Sequence, residues 1–487
     1  MAAIVHWWSS TALPPALLVR PLVIVILVGL VTTAVATLIV RDRNLAGIAA
    51  WAVLTAATVN DVRAFALLLV VAAAVMAIGI RLRHVGWPRG PTVTRFLSIL
   101  AVILLLTSLI DSVQSGAFGY ALDEVQRDLS ADDPAESFTP GSPDIYVLLL
   151  DGFPGHTAAT TGSEFDAAAW TEALETRGFD VALDSRSNYI TTRLTLPSVF
   201  ASAHLPDVPA LSQPGSRQRD AHVLREATES SVVLSALGAA GYERIAIASG
   251  YGEIGPRRVD RLIVPPQVDE FEASLLRSTM VGSVVDFLFP DAAASLKHAR
   301  IEETFEGVAR LAQEPHDRPR FVFVHVPGPH SPWVVDSAGN RFPGTSSLFA
   351  SFADPIKDPE IRRQRFFEFS AYIANRTVTA VDAILAASRT RSVIVLFSDH
   401  GPDISFDTHD PLAFDLDDRT SNLIAVLAPG RAGLLPDDAT TVNIFPFVLN
   451  AYLGTDLPIQ PNTFWAWRTG SSILDFVELD PRTWKAK

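Results

Sequence analysis

Residues 392–403, SVIVLFSDHGPD, constrain the fold of this chain more than any other segment. The five consecutive apolar residues Val393–Phe397 are typical of a strand that is buried on both faces of a parallel sheet. Asp399 and His400 follow, and ligand sites in open α/β sheets lie just beyond the carboxyl ends of the strands. A carboxylate and an imidazole are good ligands for zinc or manganese, although the same pair also suits a turn with a capping aspartate. The segment therefore predicts a buried strand that ends in either a metal site or a capped turn.

The first quarter of the chain is strongly apolar. Mean hydropathy is +0.26 over the whole chain and 48% of the residues are hydrophobic, with the excess concentrated at the front. Short charged loops separate successive apolar runs, which is atypical of soluble core helices and of a cleaved signal peptide. The runs predict about four transmembrane helices, at residues 21–40, 44–60, 64–80 and 96–110.

Basic residues concentrate in the loops after the first and third apolar runs. Because positively charged loops stay in the cytoplasm, four spans place both the amino terminus and everything after residue 110 outside. If residues 7–19 form a fifth, short segment, only the amino terminus changes side. The sequence thus predicts a multi-pass protein of the cell membrane with an extracytoplasmic carboxyl part.

Charge and cysteine content narrow the class of protein further. The formal net charge of −14 argues against a nucleic-acid partner. The chain has no cysteine, so a domain outside the cytoplasm has no disulfides and depends on its core and on bound metal.

The composition divides the chain into a membrane domain (residues 1–115), a linker rich in Gly, Ser, Asp and Pro (residues 116–143) and an extracytoplasmic domain (residues 144–487). In the last part, apolar runs that predict strands alternate with helical patterns. This alternation predicts an α/β domain with a mostly parallel central sheet. The predicted strands are residues 145–150, 244–249, 321–326, 393–397 and 422–427, and the main predicted helices are residues 231–240, 302–313 and 361–388.

Residues with metal-ligand chemistry follow three of these strands. Each has a structural alternative, since Asp151 could form a turn, His325 could be a core histidine and His409 could be a solvated loop residue. Two acids and several imidazoles at strand ends can nevertheless complete a metal site with an open position for substrate. The candidates are Asp151, His325, His330, Asp399, His400 and His409.

Residues 187–202, SNYITTRLTLPSVFAS, place several hydroxyl groups beside a helix-like run. A threonine at a helix amino terminus receives the helix dipole, and the backbone N–H groups there can hold an anion. With a divalent metal on its oxygen, such a threonine can ionise more easily and attack phosphorus. A cap rich in Ser and Thr, without a catalytic role, is the alternative. The hydroxyl-bearing residues are Thr191, Thr192, Thr195 and Ser198.

Four segments of the chain resemble the alkaline phosphatase and sulfatase superfamily. In chain order they are DIYVLLLDG, SNYITTRLTLPSVFAS, FVHVPGPHSPW and VLFSDHG. The resemblance extends over residues 144–453 and is greatest to the membrane-anchored branch, which includes phosphoethanolamine transferases and lipoteichoic acid synthases. It implies a divalent metal ion (Zn, Mn, Mg or Ca) and a catalytic role for His330, with His325 and His409 binding substrate. The metal ligands implied by the resemblance are Asp151, Thr192, Asp399 and His400.

Two alignments of the nucleophile fit this resemblance. The transferase pattern Thr-x-x-Ser-x-Pro makes Thr192 the nucleophile, whereas the nucleotide pyrophosphatase pattern Thr-x-Pro makes it Thr195. The greater likeness to the membrane-anchored branch favours Thr192. No cysteine is present to become formylglycine, and Leu196 or Val199 stands where sulfatases have arginine, which argues against sulfate ester hydrolysis.

The sequence thus predicts a membrane-bound, metal-dependent phosphotransferase or phosphohydrolase that uses a threonine nucleophile. The expected substrates are phosphate esters of membrane lipids or cell-envelope glycans, and the expected partners are these molecules and the lipid bilayer. A simple phosphatase or phosphodiesterase, a sulfatase, and a non-catalytic scaffold or binding protein of the envelope are the alternatives.

Overall fold

The structure is a computed structural model of the chain. It describes residues 15–40, 43–58, 90–114, 141–156, 165–252, 254–277, 279–343, 358–388, 392–402, 410–413 and 415–487, with isolated residues between these segments. The described residues fall into two compact units. One contains the N-terminal helices together with residues 269–292, and the other contains the remaining described residues.

The helices are α1 (Val19–Val40), α2 (Arg43–Thr58), α3 (Gly90–Gln114), α4 (Ala167–Glu175), α5 (Thr192–Ala201), α6 (Arg217–Glu229), α7 (Val232–Ala239), α8 (Glu270–Arg277), α9 (Met280–Leu288), α10 (Ala292–Gln313), α11 (Pro359–Ala387), α12 (Leu416–Thr420) and α13 (Ile444–Leu453). The strands are β1 (Ile145–Leu150), β2 (Phe179–Val181), β3 (Glu243–Ile247), β4 (Arg261–Ile263), β5 (Arg320–Val326), β6 (Val393–Phe397), β7 (Ile424–Leu427), β8 (Phe464–Trp467), β9 (Phe476–Asp480) and β10 (Lys485–Ala486).

The larger unit is built on a seven-stranded sheet of order β2-β7-β6-β1-β5-β3-β4. Strands β6, β1, β5, β3 and β4 pair in parallel, whereas β7 runs antiparallel to both of its neighbours. Strands β8, β9 and β10 form a separate antiparallel sheet. The prediction of an α/β fold with a mostly parallel central sheet is confirmed.

Helices cover both faces of the central sheet, which explains why β1 is apolar along its whole length. Side chains alternate between the two faces of a strand, so Tyr146, Leu148 and Leu150 enter one core and the odd-numbered residues enter the other. Helices α10 and α11 contribute to the first core, and α5, α7 and α13 contribute to the second. All six residues of β1 are buried, as expected for a central parallel strand.

The prediction of about four transmembrane helices is wrong in number for the described residues. Only Val19–Ile39 of α1 is both long and apolar enough to cross a bilayer, with a mean hydropathy of 2.8 and 6% of its window buried. Helix α2 has 16 residues and spans about 24 Å, less than the roughly 30 Å of a hydrocarbon core. The apolar part of α3, Thr94–Ile110, is also short. The predicted run at residues 64–80 lies almost entirely outside the described residues, so a multi-pass topology is not supported.

Candidate metal and catalytic site

The site lies where the central parallel strands end. Strand β1 lies between β6 and β5, and Leu149 is in register with both Phe397 and His325. The residues that follow β1 and β6 are therefore brought to the same edge of the sheet. Ligand atoms of Asp151, Asp399 and His400 lie within 4.8 Å of one another, and all three residues are buried.

Hydrogen bonds fix the three side chains. The Gly152 N–H donates to Asp399 Oδ1 over 3.0 Å. His400 Nδ1 donates to the Gly401 carbonyl over 2.8 Å, so Nε2, on the other side of the ring, is the nitrogen that can ligate a metal. This Nε2 lies 3.2 Å from Asp399 Oδ2 and 3.7 Å from Asp151 Oδ1. Three electron-pair donors thus converge on one buried place.

Two glycines allow this close approach. Gly152 has a φ of +72°, and a Cβ atom there would lie 3.3 Å from His400 Cε1. A Cβ atom on Gly401 would lie only 2.2 Å from the Asp418 carbonyl oxygen. The glycines of the DG and DHG motifs are therefore required by backbone geometry and by packing.

The three converging residues fit a divalent cation. Asp399 Oδ2 is buried and makes no hydrogen bond to the residues that the structure describes. Buried carboxylates without a compensating charge are costly, and a cation between them removes that cost. A set of two carboxylates and one imidazole suits zinc or manganese, and the bond from His400 to a backbone carbonyl is typical of a histidine that ligates a metal through its other nitrogen.

His325, near the end of β5, and His330, in the segment after β5, flank Asp151. Burial lowers the pKa of His325 to about 4, so its ring is neutral at neutral pH. His325 Nε2 lies 3.1 Å from Asp151 Oδ2 and donates to it. The backbone N–H of His330 donates to the Asp151 carbonyl over 2.8 Å, and the centroid of the His330 ring lies 6.5 Å from that of the His400 ring. His409 lies outside the described residues.

Helix α5 carries both candidate nucleophiles. It begins at Thr192, and Thr191, the N-cap residue, makes no capping hydrogen bond with its side chain. The Thr192 hydroxyl makes no hydrogen bond within the described part of the chain, although the residue is only 6% exposed. Thr195 lies on the same face of α5, and its Oγ1 donates to the Asp399 carbonyl over 2.8 Å. Thr195 therefore anchors the helix to the loop that carries Asp399 and His400.

Replacement of Thr195 by valine is expected to lower the free energy of unfolding by about 1–2 kcal/mol, because it removes this buried hydrogen bond and leaves the Asp399 carbonyl without its donor. Thr195→Ser keeps the hydroxyl and should be closer to wild type. Chemical denaturation of the three proteins measures the difference. Equal stability of Thr195→Val and the wild type would show that the bond does not anchor α5.

Two residues near the site were not found from the sequence. Arg419 is buried, and its guanidinium donates to the Ile190 carbonyl and to the carbonyls of Gly401 and Pro402. It thus joins the segment before α5 to the DHG loop. The ring of Tyr251 lies 5.9 Å from that of His330. No local pattern distinguishes either residue, because an arginine in the polar segment DLDDRT and a tyrosine in a loop are typical of solvated surfaces.

No family model and no curated protein matches this chain. Among solved structures, it is similar to the phosphonate monoester hydrolase of Agrobacterium radiobacter, with 12% identity, a TM-score of 0.46, and 70% of this chain and 86% of that chain covered. It is also similar to the integral membrane protein lipooligosaccharide phosphoethanolamine transferase A from Neisseria meningitidis. The identity is 15% and the TM-score 0.39, and the match covers 80% of this chain and 70% of that chain. A protein in the alkaline phosphatase superfamily from Vibrio parahaemolyticus matches with 12% identity, a TM-score of 0.42 and coverage of 73% and 83%.

The Vibrio parahaemolyticus protein belongs to the superfamily that the sequence motifs resemble. Three features of the chain itself indicate its function: the converging ligands Asp151, Asp399 and His400, the anchored start of α5, and the apolar helix α1.

Proposed function

We propose that this protein is a membrane-attached, metal-dependent enzyme that transfers or hydrolyses phosphoryl groups through a covalent phosphothreonine. One observation carries the proposal: ligand atoms of Asp151, Asp399 and His400 converge within 4.8 Å, while Thr195 ties the start of α5 to the same loop. A cation site beside a helix amino terminus is suited to a phosphate group.

Asp151, Asp399 and His400 would hold the cation, with the Thr192 hydroxyl as a further ligand. A divalent cation bound there supplies Lewis-acid stabilisation of a phosphoryl group and lowers the pKa of a bound hydroxyl. His325, neutral and bonded to Asp151, keeps this carboxylate in one orientation. Thr191 provides no side-chain cap for α5, so the backbone N–H of Thr192 at the start of the helix can bind a phosphoryl oxygen.

Thr192 is the proposed nucleophile because its hydroxyl makes no hydrogen bond to the described residues, whereas that of Thr195 donates to the Asp399 carbonyl. Its Oγ1 would bond to phosphorus as the ester P–O bond breaks. The backbone N–H of His330 donates to the Asp151 carbonyl, and the His330 side chain would give a proton to the leaving oxygen. A sugar hydroxyl or water would then accept the phosphoryl group and release Thr192.

Phosphate esters of membrane lipids or cell-envelope glycans are the proposed substrates. Helix α1 supports this assignment, because its predominantly apolar span of 21 residues can attach the protein to a bilayer. The missing formylglycine precursor disfavours sulfate esters.

Intact mass spectrometry of the full chain tests the covalent step. Protein loaded with zinc or manganese is incubated with phospholipid donors, quenched in acid and fragmented. A phosphate-bearing adduct on Thr192 is expected, and its decay should be faster when a glycan acceptor is added if the enzyme is a transferase. A metal-loaded protein that turns over a phosphate ester with no adduct would contradict the phosphothreonine.

A further inference from the structure

Helices α8 and α9 form a hairpin within the sequence of the larger unit, yet they cluster with the N-terminal helices. Phe271 of α8 is buried against Leu22 of α1 and against Leu17 and Leu18, which directly precede α1. Glu272 of the same helix forms an ion pair with Arg20. The hairpin is therefore fixed by an apolar contact and an ion pair to the N-terminal end of the helix that is able to cross a membrane.

The hairpin has its own local order. Thr279, between the two helices, caps α9 by accepting from the Gly282 N–H and donates its hydroxyl to the Leu276 carbonyl. Gly282 is buried, and α9 packs against α2. These contacts fix the orientation of α9, and with it the direction in which the side opposite Gly282 and α2 faces.

That outer side is apolar and exposed. Phe287 is 85% exposed, and Leu288 and Phe289 are 58% and 61% exposed. Val284, one turn before Leu288, and Val281, two turns before it, are exposed as well. Large aromatic and aliphatic side chains grouped in this way are rare on a surface that faces only water.

A lipid surface is the occupant that fits this face. Most of the outward side chains of α1, from Val19 to Ile39, are also apolar and exposed, so the hairpin extends a surface that lipid must already cover. Residues 269–291 contain five acidic residues against one arginine, which disfavours attraction to anionic lipids. Insertion of apolar side chains would therefore drive the contact.

We propose that α8 and α9 form an interfacial hairpin that lies on the bilayer surface at the N-terminal end of α1 and inserts Phe287, Leu288 and Phe289 among the lipids. Insertion by about 5–10 Å, to the boundary between headgroups and acyl chains, is typical of such amphipathic helices. The hairpin adds a second membrane contact, made by a segment that lies between β4 and α10 in the sequence.

The absence of cysteine makes a direct test practicable. The full chain carrying Phe287→Cys or Leu288→Cys is labelled with an environment-sensitive fluorophore and reconstituted into phosphatidylcholine vesicles. Ser212→Cys, an exposed position in the larger unit, is the control. Phe287 and Leu288 are exposed, so neither substitution removes a core contact. Nitroxides attached to lipids at shallow or deep positions serve as quenchers, and iodide reports exposure to water.

Labels at positions 287 and 288 are expected to lose most of their emission with shallow lipid nitroxides, and less with deep ones, while iodide has little effect. High salt should not change this result. Iodide quenching equal to that of the control, with no quenching by lipid, would overturn the proposal. Stronger quenching by deep nitroxides would indicate a spanning segment and also overturn it. Protection from both quenchers that disappears when the protein is diluted in lipid would identify a second copy of the chain as the occupant instead.

Discussion

Replacement of Thr192 by valine is expected to lower phosphoryl transfer by roughly 10³-fold or more. Valine keeps the shape of threonine but lacks the hydroxyl that would bond to phosphorus, and loss of a nucleophile costs at least this much in comparable enzymes. Thr192→Ser keeps a hydroxyl and should retain measurable turnover and the covalent adduct. Steady-state kinetics and intact mass spectrometry of the metal-loaded proteins provide the measurement.

Thr195→Val is the matched control, because the same chemical change is made three residues later on the same helix face. It should destabilise the protein, since it removes the bond to the Asp399 carbonyl, but it should still form the adduct. Full turnover by Thr192→Val would place the nucleophile elsewhere. An adduct found on Thr195 would support the alternative alignment of the motif.

The central strands could be predicted from the sequence because both faces of the sheet are covered. Strand β6 is an uninterrupted run of five apolar residues, and its predicted and observed bounds are the same, Val393–Phe397. The same holds for β1, Ile145–Leu150. A strand that must be buried on both faces has no polar positions, so its ends are where the polar residues begin.

The direction of β7 and the grouping of α8 and α9 could not be predicted in this way. Apolar content shows that Ile424–Leu427 is buried but not that it runs antiparallel to β6. The hairpin of α8 and α9 clusters with the N-terminal helices and not with the α/β domain, because Phe271 and Glu272 contact residues at the start of α1. Such contacts join residues about 250 positions apart, so the local periodicity of the sequence cannot predict them.

The candidate ligands could be predicted because strand order brings their loops together. The choice between Thr192 and Thr195 could not, since residues three apart share one face of a helix and each alignment of the motif is locally acceptable. Their difference lies in a tertiary hydrogen bond between α5 and the loop after β6.

Removal of divalent cations is expected to destabilise the wild-type protein and to leave Asp399→Asn nearly unchanged. A metal that binds only the folded state stabilises it by about 2.7 kcal/mol when present at 100 times its Kd. Asp399→Asn removes one of the three converging ligands and so should lose this response, although the asparagine oxygen can still accept from the Gly152 N–H. Melting curves with added zinc or manganese, and then with chelator, measure both effects. Asp358→Asn, at the exposed N-cap of α11 where asparagine caps equally well, should respond to metal as the wild type does.

With metal bound, the wild-type protein should be more stable than Asp399→Asn, and in metal-free buffer this order should reverse. The wild-type protein then holds two buried carboxylates close together, whereas Asp399→Asn holds only one, so the variant should be at least as stable as the wild type. A variant that is less stable than the wild type under both conditions would indicate that Asp399 acts through its hydrogen bond to Gly152 and not as a metal ligand. A wild-type melting temperature that responds neither to chelator nor to added metal would contradict the metal site itself. The reversal is therefore diagnostic, because loss of an ordinary structural contact would lower stability by a similar amount with or without metal.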